Sequence, residues 1–134
     1  MSFSETHEQF GPGLTKMYVR HEETGNEIAV IPESGARLNH FLVNLHGETI
    51  DIIDGYDTPE EIKAEHYARG SLLAPFPNRI ADGKYTFKGK DHTLPINKPD
   101  ENNAIHGFVS DKEFLLESSG QVDDYYELVF RCAL

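Results

Sequence analysis

Apolar and polar positions alternate along most of the chain with a period of two, in short runs broken by Gly, Pro, Asn and Asp, which is the pattern of an all-β sandwich or barrel. After Asn26 the run Glu-Ile-Ala-Val-Ile carries β-branched residues and stops at Pro32. Gly35 opens a longer alternating stretch, with Leu38, His40, Leu42 and Asn44 on one side and the wholly apolar Phe41, Val43 and Leu45 on the other. Glu48 to Asp54 predicts another strand whose faces separate less cleanly, Ile50 and Ile52 standing opposite Asp51 and Ile53. At Thr58-Pro59-Glu60-Glu61 the pattern changes: Thr caps, Pro suits the first helical position and Glu61 completes a capping box. A short, exposed, charged helix through Tyr67 is expected, carrying Glu60, Glu61, Lys63 and Glu65, with Gly70 marking its exit.

Beyond Gly70 the run Leu-Leu-Ala-Pro-Phe-Pro-Asn-Arg-Ile has two prolines in three residues, which excludes an ordinary central strand and demands rigid, irregular backbone. Gly83-Lys-Tyr-Thr-Phe, then Lys88-Gly89-Lys90 and Asp-His-Thr-Leu-Pro, reads as a β-hairpin with Gly89 at the turn. Asn97 to Asn103 is a loop of polar turn formers leading into Ala104-Ile105-His106-Gly107-Phe108. Two strands follow, Lys112 to Ser118 and Tyr125 to Leu134, with a turn expected at Ser119-Gly120. The last sets Tyr126, Leu128, Phe130, Cys132 and Leu134 against Glu127 and Arg131, a half-buried strand that needs a sheet around it. The sequence stops inside that strand, so its edge is expected to be completed by further polypeptide or by another chain.

At 134 residues the chain can bury one core, as a single domain or as the N-terminal portion of a larger one. The formal charge of −11 argues against nucleic-acid and anionic-membrane partners, which the overall field would repel. The polar, acidic start has neither the basic nor the apolar region of a signal peptide, and no run is long enough to span a membrane. Cys132 is the only cysteine, which fits a reducing compartment and makes the cytoplasm the expected location. His40 and His46 share strand parity and His92 sits in the hairpin, but no pair has chelate spacing, and His7, His21 and His66 read as surface residues. Neither a metal site nor a cofactor is expected, phosphate-binding Gly loops and nucleophile triads being absent.

The stretch from Gly70 through Asn78-Arg79-Ile80, the Gly83 hairpin, Leu94-Pro95-Ile96-Asn97 and Asn103-Ala-Ile-His106-Gly107-Phe108 resembles the aldose 1-epimerase family. That family's pattern is an Asn-Arg-Ile element, a Gly-started hairpin, a Leu-Pro-x-Asn strand end and a closing His-Gly, and four such elements in order are far more specific than any one of them. The segment before Gly70 fits more loosely, as strands beginning the first sheet. The resemblance implies a β-sandwich of the galactose mutarotase-like type, a free monosaccharide such as glucose or galactose as partner, and interconversion of its α and β anomers. It gives Arg79 and His106 the role of binding sugar oxygens.

Anomer exchange needs a base to take the C1 hydroxyl proton and an acid to protonate the ring oxygen as the ring opens. In the family a later His and a Glu near the C-terminus supply these, and both are expected C-terminal to Leu134, so this chain alone should be a weak mutarotase or none. The residue types suit the binding role, guanidinium offering donors in a rigid fork and imidazole donating or accepting near neutral pH. Each also has a plainer reading: Arg79 as a surface arginine paired with a carboxylate, His106 as a loop histidine satisfied by its surroundings. Asn78 either contacts sugar or ties down the loop, and Phe76 offers an apolar wall. A complementing C-terminal segment would supply the missing acid and base, and two other functions stay open, a non-catalytic carbohydrate-binding module and a structural β-domain that self-associates through its open edge.

Overall fold

The structure, a computed structural model, describes residues 1–64 and 67–134. Its largest unit is an antiparallel sheet in the order β1 (Phe3–Gly11), β2 (Leu14–His21), β3 (Glu27–Ile31), β4 (Arg37–Leu45), β5 (Glu48–Asp51). β3 and β4 lie where the alternation placed them and β5 is shorter than expected, ending at Asp51 instead of Asp54, whereas β1 and β2 formed no recognised element in the pattern. Between Phe3 and Phe10, β1 carries only polar residues and sits at the sheet edge, its side chains half-buried or exposed. β2 buries Met17 and Val19, opposite Val30 and Ile28 of β3.

β4 is bulged where it pairs with β3: Ala29 faces His40 and Val30 faces Leu38, which leaves Asn39 as the extra residue. The bulge turns Asn39, 4% exposed, toward the following loop. Its Nδ2 donates to the Tyr56 carbonyl at 2.9 Å and its Oδ1 accepts from the Tyr56 amide at 3.1 Å, so one side chain satisfies a buried backbone pair as a strand would.

The helix α1 (Pro59–Ala64) starts as expected. The Glu61 amide donates to Thr58 Oγ1 at 3.3 Å, and Glu61 Oε2 accepts from the amides of Asp57 at 2.8 Å and Thr58 at 3.4 Å. Glu65 and His66, which the sequence assigned to the helix end and to the surface, lie outside the described residues, and Tyr67 is not helical. Nor is the helix a purely exposed connector. Ile62 is buried against Ile31 and Tyr56, with Phe10 and Leu14 packed around them.

Three two-stranded sheets complete the fold: β6 (Arg79–Ala81) with β9 (Asn103–Ile105), β7 (Lys84–Phe87) with β8 (Lys90–Thr93), and β10 (Leu115–Val122) with β11 (Tyr125–Arg131). The β7–β8 turn has positive φ at both Lys88 and Gly89, the two-residue geometry that matches strand twist. The last turn differs from expectation. It falls at Asp123-Asp124, with Asp123 at φ 51°, and Ser119-Gly120 continue β10. Asp accepts the left-handed conformation, and Gly120 does not use its own freedom to turn.

The β10–β11 hairpin is tied to the N-terminal edge of the large sheet. Tyr126 donates its hydroxyl to Glu5 Oε2 at 2.7 Å, its ring lies 5.8 Å from that of Phe3, and Gln121 Nε2 donates to the Met1 carbonyl at 3.0 Å. Among the described residues no helix is long and apolar enough to cross a membrane.

Candidate functional site

The site is built where the Pro-rich segment, β6, β9 and the loop between β8 and β9 converge. β6 and β9 pair antiparallel with Arg79 opposite Ile105 and Ala81 opposite Asn103, around an Ala104 that is 2% exposed. Asn97, the end of the Leu-Pro-x-Asn element, acts as a further strand to β9: its Nδ2 donates to the Ile105 carbonyl at 2.8 Å and its Oδ1 accepts from the Ile105 amide at 2.7 Å. Such bracketing fixes the backbone that delivers His106.

On the other side the peptide between Ala74 and Pro75 is cis, and the Ala74 carbonyl accepts from the Phe108 amide at 2.8 Å. Gly107 crosses directly over this carbonyl at φ 73°, and a Cβ there would collide with the Ala74 oxygen. This close crossing explains why glycine follows the histidine. Phe76 stands edge-on to Phe108, ring centroids 5.8 Å apart, as a half-buried apolar flank.

Asn78 and His106 both have φ 62° and are locked to each other. The His106 amide donates to the Asn78 carbonyl at 3.0 Å, and the Asn78 amide donates to His106 Nδ1 at 3.0 Å. With Nδ1 accepting, a neutral ring carries its proton on Nε2, which makes that nitrogen a donor. Each left-handed non-glycine residue costs on the order of 1–2 kcal/mol, which the reciprocal pair of hydrogen bonds offsets.

Arg79 is fixed from two directions. Its Nε donates to Glu101 Oε2 at 2.5 Å, its Nη2 to Glu101 Oε1 at 3.4 Å, and its Nη1 to Asn78 Oδ1 at 2.9 Å. Glu101 also accepts from Asn103 Nδ2 at 3.2 Å. The hydrogen bond from Arg79, followed by that from Asn103 and by the Arg79 charge, holds the Glu101 carboxyl below the usual carboxylate range against the opposing effect of burial, and the same Arg79 bond raises the guanidinium. Beside them Lys98 pairs with Asp100 at 2.9 Å.

Asn78, Arg79 and His106 therefore stand together, and both readings of Asn78 as a loop tie and of Arg79 as a carboxylate partner describe real contacts. Glu101 was not singled out from sequence. It lies among polar turn formers at a spacing from Arg79 that only the β6–β9 pairing brings close.

The other histidines are elsewhere. His40 Nε2 is 3.2 Å from Glu27, His92 stacks on Tyr85 at 4.8 Å and His7 bonds Glu5 at 2.6 Å. His21 is not a plain surface residue: only 16% of its side chain is exposed, bonded through Nδ1 to Thr24 and edge-on to Phe3. Among the described residues no cluster of three or more His, Cys, Asp or Glu is arranged to hold a metal.

Solved structures share this fold. A galactose mutarotase-like protein from Clostridium acetobutylicum aligns with a TM-score of 0.71 at 23% identity over 95% of this chain and 37% of its own. Galactose 1-epimerase from Lactobacillus acidophilus aligns at 0.65 and 20% identity, over 93% of this chain and 36% of its own. Among sequence relatives, an uncharacterised Escherichia coli protein, YihR, is 44% identical over 52 residues, 39% of this chain and 16% of that protein. Rat galactose mutarotase is 34% identical over 61 residues, 46% of this chain and 17% of its own. The chain thus spans little more than a third of the solved relatives, and the matched segments a sixth of the curated ones. The family profile of the aldose 1-epimerases matches residues 19–132, most of the sequence, and the chain belongs to that family, with the galactose mutarotase-like fold.

Proposed function

We propose that the chain binds a free hexose such as glucose or galactose through Arg79 and His106, as the sugar-holding part of an aldose 1-epimerase. The observation that carries this reading is the pairing of Asn78 with His106, which leaves Nε2–H as the donor of a neutral ring, in the same cluster as a guanidinium that carries more N–H groups than Asn78 and Glu101 use. Two donors from rigid backbone suit a neutral polyol, whose oxygens accept.

Ring opening requires proton removal at the C1 hydroxyl and proton delivery to the ring oxygen. Reclosure on the other face of the aldehyde then yields the other anomer. Arg79 and His106 orient the sugar and stabilise oxygen charge, while the acid and base come from groups outside Asn78, Arg79 and His106. Glu101 is poorly suited as the base, because its oxygens are occupied by Arg79 and Asn103. The same observation favours a second reading, a carbohydrate-binding module that holds sugar without exchanging anomers.

Titration with D-galactose and D-glucose, followed by polarimetry on freshly dissolved α-anomers, separates the two. Saturable binding weakened by more than about 1 kcal/mol in Arg79→Ala and His106→Ala is expected. Binding with faster mutarotation than buffer supports the enzyme, and binding without it the module. Unchanged binding in both variants would sink the site.

A further inference from the structure

We propose that Glu101 is a positioning residue of the sugar site: it clamps the inner edge of the Arg79 guanidinium so that only the outer edge faces ligand. The inference rests on the sugar-binding reading above and deepens it. Glu101 takes the Nε and Nη2 side of Arg79 in a two-pronged contact at 2.5 and 3.4 Å, while Asn78 Oδ1 takes Nη1 at 2.9 Å. Guanidinium is a planar fork with more N–H groups than these contacts use, and the remaining ones, on Nη1 and Nη2, have no protein partner among the described residues. A flexible arginine at this exposed position would otherwise sample many rotamers and lose entropy on gripping sugar.

Glu101 is itself held. It accepts from Asn103 Nδ2 at 3.2 Å, and Asn103 belongs to β9, the partner of the strand that carries Arg79. The loop that bears it is closed by hydrogen bonds in both directions between the backbones of Lys98 and Asn103, at 3.0 and 3.1 Å. The neighbouring acid, Asp100, is drawn away by Lys98 at 2.9 Å, so Glu101 alone of the two loop acids reaches the guanidinium. Asn102 Nδ2 bonds Asp82 Oδ1 at 2.6 Å and ties the loop to the end of β6. Carboxylate, arginine and their supports thus form one closed ring of contacts, with the uncommitted edge of Arg79 as its opening.

A surface ion pair would also show these distances, so the test needs a signal that a merely stabilising pair would not move. In the full chain, the ¹H–¹⁵N resonance of Arg79 Nε–H, assigned by its loss in Arg79→Lys, is expected to be sharp and slowly exchanging. In Glu101→Gln it should collapse toward that of free arginine with the backbone spectrum otherwise unchanged, and galactose affinity should fall about fivefold or more. Glu101→Asp should recover part of both. As pH falls through the lowered Glu101 titration, wild type should lose affinity, and Glu101→Gln should lack that step. An Arg79 resonance or a galactose affinity that does not change in Glu101→Gln overturns the proposal. Should the resonance collapse in a protein whose wild type binds no galactose or glucose, the clamp stands and the sugar reading fails.

Discussion

At the scale of single residues, the positions that shape the site are those where backbone leaves no choice. Gly107 and Gly13 both have positive φ, 73° and 72°, but only Gly107 is also hemmed in, by the Ala74 carbonyl, while nothing lies within 4 Å of a Cβ at Gly13. Comparing Gly107→Ala with Gly13→Ala therefore separates crowding from conformational strain. The second should cost on the order of 1 kcal/mol, the first about 2–3 kcal/mol or more, because the crossing of two backbones must open. Urea midpoints for the two variants give the comparison, and equal losses would mean the crossing is not tight. The sequence made His106-Gly107 and Asn78-Arg79 visible through the order of motifs around them. It could not show that Asn78 and His106 hold each other, nor that Glu101 holds Arg79, since both contacts cross between segments whose separation along the chain says nothing about distance.

At the scale of elements, local chemistry was readable where one residue type does one job. The Thr58 to Glu61 capping box and the Lys88-Gly89 turn are such cases, and both formed as the pattern indicated. The N-terminal strand β1 escaped because, between Phe3 and Phe10, an edge strand facing solvent has no apolar alternation to display. The last turn was misplaced because glycine is the usual turn signal, yet Asp123 supplied the positive φ. What the pattern missed in α1 is its inward face. Ile62→Ala should cost about 2–3 kcal/mol by opening a gap against Ile31 and Tyr56, whereas Thr58→Ala should cost only about 1 kcal/mol through the lost cap. Thermal or urea unfolding of the two variants reads the ranking directly. A larger loss from Thr58 would show that the helix is held by its start and not by its packing.

At the scale of the molecule, the question is what joins the β10–β11 hairpin to the large sheet, and the strongest polar tie is the Glu5 carboxylate. Burial acts to raise its pKa, but hydrogen bonds from Tyr126, Ser119 and His7 outweigh this and hold it below its ordinary 4.5. The bond to Glu5, reinforced by burial, raises the Tyr126 hydroxyl above its ordinary 10.0. The signs fix a window. A lowered carboxyl stabilises the fold above its unfolded pKa and loses that contribution as pH falls through the folded one. A raised phenol stabilises below its unfolded pKa and loses it as pH rises through the folded one. The tie is thus complete between about pH 4.5 and 10 and weakens on either side. Tyr126→Phe keeps the ring contact with Phe3 and removes only the hydroxyl, so at pH 7 it should cost about 1–2 kcal/mol, the worth of a hydrogen bond to a charged group. That difference should shrink as the wild type is taken below pH 4.5 and Glu5 protonates. Urea unfolding of both proteins at pH 7 and pH 3 decides it: a gap of the same size at both values would mean that Tyr126 anchors the hairpin by some contact other than the ionised Glu5.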